Sequence, residues 1–143
     1  MRASQTATEM LDHAIAERLG IDRTAYRCLD ILDQEGPMSA GRLAERARLS
    51  PAATTAVIDR LEARGLARRT RDTDDRRRVL VEVTPQLRQR AQLLYGPPGE
   101  VEQHFAAFSD EQLELLASFQ RGGVEFQEAV MRRLEALPPD RPI

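Results

Sequence analysis

The hydrophobic period of this chain changes at Gly65, and that change limits its fold more than any other feature. Up to Gly65, apolar residues recur every three or four positions, the spacing of helices that bury one face. These helices are short and separately punctuated. Asp22 can cap one whose inward stripe is Ala25, Cys28, Leu29 and Leu32, stopped by Gly36-Pro37. Ser39 can cap a second, with Leu43, Ala44 and Ala47 facing in. Ser50-Pro51 is a stronger start signal: a capping hydroxyl, then proline at the first helical position, where no N–H is needed. That helix runs to about Arg64, with Thr54, Val57, Ile58 and Leu61 expected on its buried side. After Gly65, Val79, Val81 and Val83 alternate with Leu80 and Glu82, the two-residue repeat of a half-buried strand. Leu66 to Arg71 supplies a partner strand, and Asp72-Thr73-Asp74-Asp75-Arg76 between them is a polar, turn-forming tip.

The flanks are helical. Ala7, Leu11, Ala14, Ile15 and Leu19 share a helical spacing over residues 6–19, ended by Gly20. Thr84-Pro85 launches another helix, which Gly96-Pro97-Pro98-Gly99 must kink or interrupt. Ser109-Asp110-Glu111-Gln112 is a capping box for the last helix. It carries Leu113, Leu116, Phe119, Phe126, Val130, Leu134 and Leu137; Gly122-Gly123 weaken it locally and Pro138-Pro139 end it. The 143 residues make one domain, or one subunit of a small oligomer.

Charge is unevenly placed. Every basic residue is arginine, and the formal net charge is −2. Residues 42–90 hold thirteen arginines against seven acids, a net of +6, and the remainder carries −8. A basic middle between acidic ends suggests an anionic partner for the middle alone. No apolar run approaches the roughly 20 residues that cross a bilayer, and the N-terminus lacks a secretory signal, so a soluble cytoplasmic protein without membrane partners is expected. A single cysteine leaves no internal disulfide, and Cys28, His13 and His104 make no convincing zinc set. No cofactor or metal is expected. Glycine-rich phosphate loops, nucleophile elbows and paired metal ligands are missing too, which argues against an enzyme.

Three short helices followed by a hairpin with a charged tip is the order of a winged helix-turn-helix. The fold is therefore expected to be mainly α with a small β-hairpin wing. The winged helix-turn-helix spans 22–85, with the helix-turn-helix at 39–64 and the wing at 66–84. A capped helix of four turns can enter a major groove end-on. Its outward side presents Ala52, Thr55, Ala56, Asp59 and, at the margin, Arg60. Small residues there permit close approach to bases, and Thr55 can touch a thymine methyl or bond a base edge. Ser39 and its helix start can offer donors to a phosphate. At the tip, Asp75 can orient an arginine toward the narrow, electronegative minor groove.

Leu43-Ala44-Glu45-Arg46, Leu49-Ser50-Pro51, Asp59-Arg60-Leu61-Glu62-Ala63-Arg64-Gly65-Leu66 and Asp75-Arg76-Arg77-Arg78-Val79-Leu80-Val81-Glu82-Val83-Thr84 together resemble the MarR family of bacterial transcription regulators. The aspartate–arginine–arginine of the wing, followed by a β-branched strand and threonine, is the most specific part. The resemblance implies a sequence-specific DNA-binding regulator, a repressor, that binds a palindromic operator as a homodimer. The terminal segments, 1–20 and 86–137, would form the dimer. It implies DNA contacts at Ser39, Thr55, Arg60 and Arg77, with Asp75 bracing the wing arginine; Pro51, Ala52 and Arg76, beside them on the same helix and tip, complete the expected contact set. Where many members carry an arginine directly after the recognition-helix threonine, this chain has Ala56, so specificity shifts toward Thr55, Arg60 and DNA shape.

In 143 residues the winged helix cannot bury the apolar stripes of both flanking helices, which also favours pairing with a second copy. The family resemblance further implies a small-molecule effector pocket, for which His13, Tyr26 and Arg90 are the candidates here. Cys28, between Ala25 and Leu32 on an apolar stripe, reads as an inert core thiol. The alternatives are a winged helix that binds an acidic protein and a non-specific architectural DNA binder; steep salt dependence and resistance to competitor DNA separate them.

Overall fold

A computed structural model describes residues 2–87, 89–90 and 99–138. The chain divides into two compact units, 1–97 and 98–143. The first holds α1 (Arg2–Leu19), α2 (Arg23–Glu35), α3 (Ala40–Ala47), α4 (Pro51–Ala63), β1 (Ala67–Arg71) and β2 (Val79–Val83). The second holds α5 (Glu100–Phe105) and α6 (Asp110–Glu135). The fold is a winged helix-turn-helix, mainly helical with one two-stranded hairpin.

Local chemistry sets the element starts. Asp22 Oδ1 accepts the Ala25 N–H (2.8 Å) at the head of α2, and the Ser39 and Ser50 hydroxyls do the same for Arg42 and Ala53 (3.2 Å each). Between α3 and α4 the chain turns in three residues, with Arg48 in a left-handed conformation (φ 54°). The buried residues of α2, α3 and α4 are those their spacing predicts: Ala25, Cys28, Leu29 and Leu32; Leu43, Ala44 and Ala47; Thr54, Val57, Ile58 and Leu61. All of these but Ala44 and Thr54 join Met38, Leu66, Val81, Ile15 and Leu19 in one core.

β1 and β2 pair antiparallel from Ala67↔Val83 to Arg71↔Val79. Val81 also exchanges both backbone hydrogen bonds with Met38 (3.1 and 2.7 Å), which fastens the outer side of β2 to the segment before α3. At the hairpin base the Thr84 hydroxyl donates to the Gly65 carbonyl (2.6 Å) and accepts the Leu87 N–H (3.2 Å). Thr84 thus closes the wing and opens the following helical residues, 85–87 and 89–90.

Three details differ from the sequence expectation. α1 begins at Arg2 rather than near residue 6, because no glycine or proline interrupts the chain before Gly20. Its stripe is buried only at Ile15 and Leu19, joined by Ala16, while Ala7, Leu11 and Ala14 are exposed. A short α5, headed by a left-handed Gly99 (φ 97°), follows the interruption expected at 96–99, of which 96–98 lie outside the described residues. The capping box at Ser109 forms in full, with Ser109 N–H donating to Gln112 Oε1 (2.8 Å). α6 then runs unbroken through Gly122 and Gly123.

Candidate nucleic-acid interface

Burial of Thr54, Val57, Ile58 and Leu61 fixes which side of α4 faces out. The exposed residues are Pro51, Ala52, Thr55, Ala56, Asp59, Arg60 and Ala63. The Thr55 hydroxyl donates to the Pro51 carbonyl (3.0 Å), leaving outward its methyl group and the oxygen's lone pairs. Those can meet a thymine methyl, or accept from an adenine or cytosine amino group. Ser39 spends one lone pair on the Arg42 N–H (3.2 Å), so its hydroxyl proton can still be given to a phosphate.

The acids of the wing tip act mainly on its backbone. Asp72 Oδ1 accepts the Asp74 N–H (2.9 Å) and Asp75 Oδ1 the Arg77 N–H (3.1 Å). Asp72 N–H donates to the Arg78 carbonyl (3.0 Å), and Arg78 N–H to that of Asp75 (2.8 Å). The Arg77 side chain is 97% exposed, with Nε 4.0 Å from Asp75, so Asp75 acts on the arginine through its main chain more than through its charge.

Several other arginines of the basic middle are spent on carboxylates. Arg46 pairs with Glu35 (2.6 Å) and Arg68 with Glu82 (2.6 Å). Arg69 Nη2 donates to Asp59 (2.8 Å) and its Nη1 to Glu62, so β1 is tied to α4. Sequence spacing gave no sign of this cluster, because its members lie seven and ten residues apart on different elements. Against these, Arg71, Arg76 and Arg77 are exposed at the outer part of the wing, and Arg71 and Arg76 have no ion-pair partner among the described residues.

Arg60 is engaged elsewhere. Its Nη1 lies 2.6 Å from Asp22 Oδ2, at the head of α2, so any reach toward DNA requires that pair to open. Four residues on, Arg64 lies against the α1–α2 junction, where a side chain at Gly20 (φ 68°) would run into its guanidinium. With Ile21, Ala25 and Ala63 these residues line a cavity of about 280 Å³.

The three effector candidates fall in two places. His13 Nε2 lies 3.5 Å from Glu17 Oε1, and the Tyr26 hydroxyl donates to the neighbouring Asp12 (3.3 Å). Arg90 instead lines a groove of about 480 Å³ at the wing base with Glu62, Arg64, Arg68 and Gln86. Among the described residues, no three His, Cys, Asp or Glu side chains are gathered as metal ligands, and no helix is long and apolar enough to cross a membrane.

Cys28 is fully buried, and burial pushes its thiol pKa up, with Asp22 adding to the rise while Arg27 and Arg60 oppose it. A thiol held protonated above its usual range supplies little thiolate. An aromatic disulfide reagent at pH 8 is therefore expected to label the native protein far more slowly than the denatured chain. Equal rates, followed by absorbance, would show that Cys28 is accessible.

The sequence profile of the MarR family matches residues 21–79. An uncharacterized helix-turn-helix-type transcriptional regulator of Bacillus subtilis, YcgE, is 34% identical over 131 residues, covering 91% of this chain and 85% of its own. The helix-turn-helix-type transcriptional repressor MdtR of the same organism is 34% identical over 76 residues, or 53% of this chain and 48% of MdtR. The crystal structure of transcriptional regulator PA4135 superimposes with a TM-score of 0.56 at 26% identity, covering 86% of this chain and 91% of that one. An α4 exposed through small residues, a hairpin tipped with unpaired arginine and a full-length relative at this identity lead to one assignment: the chain belongs to the MarR family of DNA-binding transcriptional regulators.

Proposed function

We propose that this regulator binds a palindromic operator as a homodimer and represses transcription there. The observation that carries the reading is the contrast among arginines. Arg46, Arg60, Arg68 and Arg69 are paired with carboxylates within the protein, whereas Arg71 and Arg76 have no ion-pair partner among the described residues and Arg77 is almost wholly exposed at the wing tip, on the hairpin that Arg69 ties to α4. The proposed contact set is Ser39, Pro51, Ala52, Thr55, Arg76 and Arg77, with Asp75 shaping the tip; Arg60 joins only if its bond to Asp22 opens.

Pairing is supported by α6, which has no buried residue and exposes Leu116, Phe119, Phe126 and Leu134, and by exposed Met10 and Leu11 on α1. Large apolar side chains exposed along one face of a helix, as on α6, mark an interaction site. Two-fold pairing would place the two copies of α4 about 34 Å apart, or a multiple of that, on a symmetric duplex. Repression is read from the name of MdtR, whose likeness spans about half of this chain. Release by a small molecule belongs to the same reading: Arg90 lies in a groove with two further arginines, a setting that favours an anionic ligand.

Selection of bound duplexes from a randomised pool, in excess competitor DNA, tests the proposal. Recovery of an inverted repeat supports it; equal binding of all duplexes would make the protein an architectural binder. On the recovered duplex, Thr55→Ala is expected to broaden base preference at one position per half-site, with non-specific affinity nearly unchanged. An unaltered preference in a repeated selection would remove Thr55 from the reading set.

A further inference from the structure

Where β1 passes α4, a charge cluster joins the two elements that face DNA. We propose that Arg69 is a positioning residue for DNA binding: it spends its guanidinium on α4 instead of a phosphate, and so holds the wing in register with the helix. Three contacts make the joint. Its Nη2 donates to Asp59 (2.8 Å), its Nη1 to Glu62, and its backbone N–H to Glu62 Oε1 (2.8 Å).

Strand pairing explains why the backbone takes part. Arg69 faces Val81, and Val81 turns both of its backbone groups outward to Met38. Such a pair in an antiparallel ladder exchanges no hydrogen bonds, so the Arg69 N–H also points outward and needs another acceptor. Glu62 supplies it. The hairpin is thereby held on both edges, by main chain at Met38 and by Arg69 at α4.

The same cluster solves a charge problem. Asp59 stands on the exposed side of α4, one turn beyond Thr55, where a bare carboxylate would repel phosphates. Arg69 offsets that charge, and its hydrogen bond to Asp59, with the nearby charge of Glu62, raises the guanidinium pKa further above its ordinary value. Arg77, by contrast, is almost wholly exposed and folds its charge into no such joint.

The test compares wild type with Arg69→Gln and Arg69→Lys. Spin labels at Asp33→Cys and Thr73→Cys, in chains diluted with unlabelled protein, report the distance from α2 to the wing tip without DNA. Affinity and its salt dependence are measured on one duplex of about 30 base pairs, roughly three turns. Arg69→Gln is expected to broaden the distance distribution and to weaken binding about tenfold, within the range seen for coupled residues, with the salt slope unchanged. Arg69→Lys should recover part of both. A salt slope shallower by about 0.9 would mean that Arg69 neutralises a phosphate, and would overturn the proposal. So would unchanged distances in Arg69→Gln, which also decides the matter if Arg69→Lys alone binds DNA. The inference rests on α4 and the wing both meeting DNA; should selection recover no preferred duplex, the operator reading fails while the label distances still judge the joint.

Discussion

Phe119→Glu is expected to convert the protein to monomers at micromolar concentration and to weaken operator binding by about a hundredfold or more. Phe119 is 60% exposed, and Phe126 stands seven residues further along the same helix at 65%. Two turns separate them, so both rings lie on one face, as paired helices require. Burying a phenylalanine side chain contributes about 1.5–3 kcal/mol, and a two-fold interface counts each substitution twice. Glutamate removes that contribution and sets a carboxylate against apolar surface, where it lacks a partner. The large loss on DNA follows from geometry. Linked half-sites bind as an intramolecular event, and monomers forfeit that advantage. Circular dichroism should remain native, since the winged-helix core lies in the other unit. Light scattering provides the readout; an unchanged mass would place the dimer interface elsewhere.

Arg77→Ala carries the next largest effect. The side chain makes no close contact within the protein, so its removal leaves the fold intact, with the melting temperature unmoved. A wing arginine inserted in a narrow minor groove meets concentrated negative potential, and its loss should cost about 1–3 kcal/mol, roughly 5- to 150-fold in affinity. The loss should be greatest where the bases under the wing are A·T-rich, because the groove is narrowest there. Equal affinity of Arg77→Ala and wild type in a titration would remove the wing from the DNA interface.

How much of this could be read from sequence depended on the range of the interaction. Asp22, Ser39 and Ser50 act three residues ahead, and the stripes of α2, α3 and α4 each repeat within one short helix. Local chemistry therefore gave the helix-turn-helix and its exposed side, and alternation at Val79, Val81 and Val83 gave the wing. Contacts between elements left no periodic trace. Nothing in the spacing of Asp59, Glu62 and Arg69, or of Asp22 and Arg60, says that they meet. Arg60 could thus be placed by position on its helix but not by partner. The bracing by Asp75 was legible as an aspartate beside arginines, though its action on the Arg77 main chain needed the turn geometry.

The proposed function turns on two copies presenting matched α4 helices and wings to one symmetric duplex. The direct measurement is the mass of the complex between purified protein and the best duplex recovered by selection. The expected result is two chains on one duplex, with inverted half-sites about one helical turn apart, and proportionate loss of the complex when that spacing is altered by half a turn. A single chain per duplex, or a complex indifferent to half-site spacing, would contradict it.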